Sequence, residues 1–432
     1  MLEKIRNTVK DLPEVSDWRL QTVETASSEL FYVGKKLETN RATDITKYSL
    51  TVYTDREGKR GSATFPVYGF YSDAELREKI EENLFAAGFA MNPCYDLPSP
   101  EDVEIPESES NIGEIGLKEA AEIVSDAVFK ADAYKDGYLS ATEIFIERKN
   151  VRITNSRGVD LSMVTWLGSV ELIPSWEKDG EEVEIYHMMH FESIDPEAIT
   201  KKVDEKLRVA AARFEAKPLS EVIDLSKPVK VLVQDDETAE ILAYFADDLN
   251  YAEKYMKSNK FELGDNVQGA IVTGTKLTMS MAPYVKGASR SAFFDADGVV
   301  GKETPIVKEG IAVGRTGAYR FGQYLGIEKP AGSLPIIVVA PGTKPFSEMA
   351  KEPYLRCAVF SGIQVERNSG YFGGEVRLGY YFDGEKEIPV TSFTISGDLN
   401  VSRGTMVYSS DTVTTDFYHG PKYLEIRDMK LA

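Results

Sequence analysis

Residues 28–71 alternate apolar and polar positions, in Glu29-Leu-Phe-Tyr-Val33 and again in Tyr48-Ser-Leu-Thr-Val-Tyr-Thr54. A period of two marks a strand with one buried face. The segments Arg56-Glu-Gly58 and Lys59-Arg-Gly61 supply turns, so the pattern predicts a small antiparallel sheet. The period then changes. Ser72-Asp-Ala-Glu75 is a capping box, and Leu76, Ile80 and Leu84 follow at four-residue spacing on one helical face. That helix is expected to end near Gly88, because Asn92-Pro93 cannot continue it.

From Pro98 to Glu114 the chain is rich in Pro and Glu and poor in apolar residues, which predicts a connector. Leu117, Ala121, Val124 and Val128 mark a second helix. Strands are expected over Tyr138–Ile146, Val151–Thr154 and Leu161–Glu171, with Asn155-Ser-Arg-Gly158 as a turn. A further alternating run spans Val183–Glu192. Asp195-Pro196 caps a third helix whose buried side is Ile199, Val203, Leu207 and Ala210. Lys217-Pro218 to Pro228 reads as a second boundary. Beyond Val229 come one long helix and many glycine-bounded strands. The fold class is therefore α+β. The expected units are an N-terminal α+β domain (1–97), a middle α+β domain (98–218) and a large β-rich C-terminal domain (219–432).

Composition narrows the functions open to such a chain. At 432 residues it exceeds one simple core. A formal charge of −20 argues against binding a nucleic-acid backbone, which needs clustered Lys and Arg. The two cysteines, Cys94 and Cys357, are too far apart in sequence to build a disulfide framework, as suits a reducing compartment. The first ten residues lack the apolar core of a signal peptide. The longest apolar run, Leu334-Pro-Ile-Ile-Val-Val-Ala340, is too short to span a bilayer. The expectation is a cytoplasmic protein with no membrane partner.

The most informative stretch is the helix Asp236–Asp248 directly after the apolar run Val229–Gln234. A strand feeding such a helix is where many zinc peptidases keep their metal. Catalytic zinc takes three protein ligands, and this chain has three histidines in all: His187, His190 and His419. In a strand, His187 and His190 point to opposite faces and cannot share a metal. His419, in a Tyr-His-Gly-Pro turn, reads as structural. Neither cysteine lies beside a base, and no G-x-S-x-G occurs. Asp295-Ala-Asp-Gly298 begins like a calcium loop but lacks the closing Glu, so it reads as a turn. Glu237 and Glu240 share one face of the helix, and as sequence they describe a solvated surface. The Gly-rich segment Asn368-Ser-Gly-Tyr-Phe-Gly-Gly-Glu375 marks tight backbone approach. It would serve either as a core hairpin or as an edge offered to an extended peptide.

Taken in order along the chain, these features resemble the TldD/PmbA family, also called the modulator of DNA gyrase family. The resemblance is carried by Ala26-Ser-Ser-Glu-Leu-Phe-Tyr32 with Arg60-Gly61, and by Asn155-Ser-Arg-Gly-Val159. C-terminal matches are Asp295-Ala-Asp-Gly-Val299, Ile306-Val-Lys-Glu-Gly-Ile311, Asn368-Ser-Gly370, Asp383-Gly-Glu385, Pro389-Val390 and Thr394-Ile-Ser-Gly397. The resemblance implies a zinc-peptidase system of two related subunits. A TldD-type subunit carries H-E-x-x-x-H on this helix and a C-terminal cysteine ligand, and a TldE/PmbA-type subunit lacks them. Here the motif falls on Ala239-Glu-Ile-Leu-Ala-Tyr244, so both histidine positions are lost, to Ala239 and Tyr244, and only Glu240 is kept. No thiol follows Cys357. Positions 239 and 244 lie roughly 140° apart on a regular helix, and a shared metal there needs an irregular turn. Where the family has Gly before the second His, this chain has Ala243, which lets the helix run on.

The reading that follows is a TldE/PmbA-like subunit with no catalytic or metal site of its own, zinc being expected only in a TldD-type partner. Asn368, Ser369, Gly370, Gly373 and Gly374 are its candidate peptide contacts, and Glu240 is a remnant. Two alternatives stay open. One is a stand-alone homodimeric peptide-binding scaffold. The other is an active metallopeptidase using His187 or His190 at an atypical site.

Overall fold

The computed structural model describes residues 1–106, 109–427 and 429–432. Glu107 and Ser108, inside the expected connector, lie outside the described residues, as does Asp428. Within the described residues the strands form an eight-stranded, a nine-stranded and a six-stranded sheet. No helix among them is long and apolar enough to cross a membrane.

The eight-stranded sheet is antiparallel and built on unusually long strands. Asp17–Val33, Lys36–Arg56, Gly137–Asn155 and Asp160–Lys178 form its centre. It runs through both of the first two expected segments, because Asp17–Val33 pairs with Lys36–Arg56 on one side and Gly137–Asn155 on the other. Two apolar layers nonetheless stay separate on it. Leu2–Lys10 and Asp73–Ala87 cover one end, burying Ile5, Leu76, Ile80 and Leu84 against Leu20, Leu50 and Val52. Leu117–Ala131 and Pro196–Glu215 cover the other, burying Val124, Val128, Val203 and Leu207 against Leu30, Ile144 and Val170.

Local signals explain these helices. The Ser72 hydroxyl accepts from Glu75 N while the Glu75 carboxylate accepts from Ser72 N at 2.7 Å, a reciprocal cap. Asp195 accepts from the backbone N–H of Glu197 and Ala198, with Pro196 in the first turn. Three details differ from expectation. Lys59-Arg-Gly61 lies in the strand Lys59–Val67 rather than in a turn, the hairpin turning at Glu57 and Gly58, both with positive φ. The strands expected over 138–146 and 151–154 are one, Gly137–Asn155, and its polar middle is paired throughout. His419 stands in the strand Tyr418–Pro421, its Nδ1 2.9 Å from Thr414 Oγ1.

In the C-terminal part the nine- and six-stranded sheets enclose one helix, Asp236–Asp248. Its Ile241, Leu242 and Phe245 share a single core with Val231, Leu355 and Phe372 of the larger sheet and Met279, Ile337 and Tyr418 of the smaller.

The Arg60, Asn155–Gly158 and Asp295–Gly298 segments meet where these parts join. Asp17 and Arg60 are both nearly fully buried and bond at 2.7 Å. Arg60 also binds Asp55 and the Tyr95 carbonyl. Arg157 closes on the same Asp17 carboxylate at 2.9 and 3.0 Å, and Ser156 donates to it at 2.6 Å. Arg19 pairs with Asp297, whose own loop is the turn expected: Asp295 Oδ1 accepts from the N–H of Asp297 and Val299. These motifs are the mortar between parts of the fold.

Candidate functional site

The strand Lys230–Gln234 is central. Val231, Leu232 and Val233 are wholly buried, with a parallel neighbour at Tyr354–Val365 and an antiparallel one at Tyr423–Ile426. A continuous apolar run suits a strand covered on both faces. Asp235 then turns the chain into the helix with φ 53° and ψ −122°, a conformation few non-glycine residues adopt. Its N–H donates to the Lys422 carbonyl at 2.9 Å. The helix has no side-chain N-cap; Thr238 instead donates to the last carbonyls of the strand, at Val233.

Ala239 and Tyr244 both lie in the core, 0% and 2% exposed. A helix walled by two sheets can bury two positions that a one-sided helix would not. Glu240 remains exposed, its carboxyl raised by partial burial and by Asp236 and Asp247, with Arg290 opposing. Glu237 is not part of a solvated face. It is half-buried, and burial together with Asp236 and Asp235 pushes its carboxyl up to about 7.

Tyr244 packs edge-on against Phe245 and Phe261, and its hydroxyl accepts from Lys260 Nζ at 2.9 Å. The same ammonium lies 4.5 Å from the ring centroid and also donates to the Arg367 carbonyl. Gly370 sits directly over this pair. With φ at 77°, a Cβ there would meet Asn400 Nδ2 at 2.9 Å and the Tyr244 hydroxyl at 3.3 Å. The structure thus brings Tyr244 and the Asn368–Gly370 loop together, around a lysine that no sequence pattern singled out. Asn368 and Ser369 are exposed at the loop tip, where Asn400 Nδ2 donates to the Ser369 carbonyl at 2.6 Å.

Gly373 and Gly374 do not offer a peptide edge. Their strand, Tyr371–Phe382, is paired with Tyr354–Val365 on one side and with Phe393–Asp398 on the other. The glycines let backbones approach: a Cβ on Gly374 would fall 2.5 Å from the Gly362 carbonyl oxygen.

The donor set at the helix does not fit zinc. Ala239 has no donor, and the Tyr244 hydroxyl is already held by a cation. Cys357 is buried in the strand beneath, where burial and Glu237 push its thiol up. His187 and His190 do not converge. His187 is desolvated beside Lys206 and Lys202, which pushes it down to about 2, and its Nε2 is buried without a partner. His190 binds Asp416 in the C-terminal part at 2.8 Å, on an oxygen also bonded by Ser289.

A strand-to-helix unit enclosed between two sheets, beside a long antiparallel sheet, defines an α+β protein. Residues 226–432 match the model of the PmbA/TldA metallopeptidase C-terminal domain. The whole chain superposes on a protein described as a modulator of a DNA gyrase from Thermotoga maritima, at 17% identity, TM-score 0.81 and full coverage of both chains. It also superposes on one so described from Bacteroides thetaiotaomicron, at 14% identity and TM-score 0.78, covering all of this chain and 97% of that one. TldE from Thermococcus kodakarensis matches at 13% identity and TM-score 0.76, over 100% and 99% of the two chains. No curated protein matches by sequence. Residues 226–432 thus match the C-terminal domain of the PmbA/TldD family, and the chain as a whole shares the fold of these structures.

Proposed function

We propose that this chain is a TldE/PmbA-like, non-zinc subunit that works beside a zinc-bearing TldD-type subunit in cleaving unfolded or leader-type peptides in the cytoplasm. The observation that carries the reading is the Lys260–Tyr244 pair. Where the family's second histidine would stand, a buried phenol is held by an ammonium at 2.9 Å, and a divalent cation there would meet a like charge in place of a ligand. Glu240 then has no metal-bound water to activate. The likeness to a protein named TldE agrees with this reading. The chain's contribution is to shape the peptide path, with Asn368 and Ser369 at an exposed loop tip beside the degenerate helix.

Elemental analysis after zinc incubation and desalting tests the metal half of the reading. Near-zero zinc is expected for the chain alone, whereas about one zinc per chain, the stoichiometry of a single catalytic site, would overturn it. Affinity capture from native cells tests the partner half. It should recover a TldD-type subunit, with peptide cleavage confined to the complex.

A further inference from the structure

The helix Pro196–Glu215 packs on the eight-stranded sheet and also on the strands Tyr371–Phe382 and Glu387–Thr391 of the nine-stranded one, so it spans the junction between them. Its Lys202 and Lys206 stand one turn apart on one face, beside His187 of the strand His187–Phe191. On the other wall, Asp236 and Glu237 open the buried helix. The two walls feel each other's charge. Burial raises both carboxyls and the Lys206 charge opposes it. Burial and Lys202 push Lys206 down to about 8, opposed by Asp235 and Asp236.

A structural ion pair would close such a gap. Among the described residues none joins these two lysines to these two carboxylates, and the neighbouring acids are otherwise engaged: Asp204 with Arg208, Asp235 with Lys422 and Asp416 with His190. Glu205 is exposed, about 100° round the helix from Lys206. Two polar atoms at the same junction are orphaned. His187 Nε2, beside the lysines, and Thr415 Oγ1, beside Asp236, are buried with no hydrogen-bond partner. Lys206 and Glu237 are half-buried while Lys202 and Asp236 are exposed, so these groups line an opening and not a sealed core. Partly desolvated charges left unpaired cost free energy, and a ligand carrying both signs would recover it.

We propose that this junction binds a short peptide with both termini free, its carboxylate on Lys202 and Lys206 and its ammonium on Asp236 and Glu237. That such a fragment is a product of cleavage rests on the proposed peptidase role. Binding itself needs only this chain, without zinc or a partner subunit, so either can fail while the other stands.

The test is isothermal titration calorimetry of the full chain with trialanine, for which saturable binding is expected. N-acetyl-trialanine and trialanine amide, each lacking one terminal charge, should bind at least tenfold more weakly, about 1.4 kcal/mol. Lys202→Gln with Lys206→Gln should remove the penalty for the amide and keep that for the acetylated peptide. Asp236→Asn with Glu237→Gln should do the reverse. The peptide series on the unaltered chain decides the matter even where a variant fails to fold. The proposal is overturned if trialanine does not bind, or if the blocked peptides bind as tightly as the free one.

Discussion

Glu237 stands in the first turn of the buried helix, where the helix dipole favours a carboxylate. Burial opposes this, and Asp236 and Asp235 add repulsion, so its carboxyl is pushed up to about 7 from the usual 4.5. The folded chain therefore holds this proton where the unfolded chain has released it. The stability it contributes is fully present below about 4.5 and is lost as pH rises through about 7. Glu237→Gln should leave stability nearly unchanged at pH 4 and raise it at pH 8 by about 1–3 kcal/mol, read from urea unfolding. His187 titrates in both proteins and drops out of the difference, whereas Lys206, whose charge acts on Glu237, is read together with it as one pair. An equal gain at both pH values would show that packing rather than charge sets the effect. At this scale the sequence located Ala239, Glu240 and Tyr244 on one helix, because a local motif carries them. It could not disclose Lys260, in coil beyond the helix end, which reaches Tyr244 only through the tertiary fold.

Among the elements, the strand Tyr371–Phe382 shows why glycine was legible and its purpose was not. A Gly-Gly pair beside alternating residues signals close backbone approach, and that approach is found. Whether the approaching backbone belongs to a peptide or to the sheet itself depends on strand order, which no local pattern encodes. Gly374→Ala should cost about 1–3 kcal/mol, the range for overfilled cores, because its Cβ would fall 2.5 Å from the Gly362 carbonyl oxygen with Phe360 at 3.0 Å. Thermal and chemical unfolding would check this. A loss within about 0.5 kcal/mol, as for a neutral surface change, would mean that the strands can part and the edge is less closed than its pairing shows. Helices read best, through the caps at Ser72 and Asp195 and the four-residue spacing. The sequence alone divides the long strand Gly137–Asn155, because Glu147, Arg148, Lys149 and Asn150 resemble a loop until their cross-strand partners are known.

Across the whole molecule, the buried charges around Asp17 tie the first hairpin to the Asn155–Gly158 turn. Burial alone would raise the Asp17 carboxyl, but bonds from Arg157, Ser156 and Arg60 hold it below its ordinary value. Such an arrangement is weak evidence of net stabilisation, since taking two charges from water costs nearly what their attraction returns. Removing one partner is different. Asp17→Asn leaves Arg60, 4% exposed, with Asp55 as its remaining carboxylate partner among the described residues, so unfolding free energy at pH 7 should fall by about 3–5 kcal/mol. Asp55→Asn, at a more exposed carboxylate, should cost less. If the two substitutions cost the same, Arg60 is balanced by its surroundings as a whole and Asp17 holds no special place at the junction. The motifs that carried the family resemblance in this region, Arg60-Gly61, Asn155–Gly158 and Asp295–Gly298, converge on this joint and its neighbour at Arg19. That convergence accounts for recognisable motifs far from the helix Asp236–Asp248: they hold the architecture together.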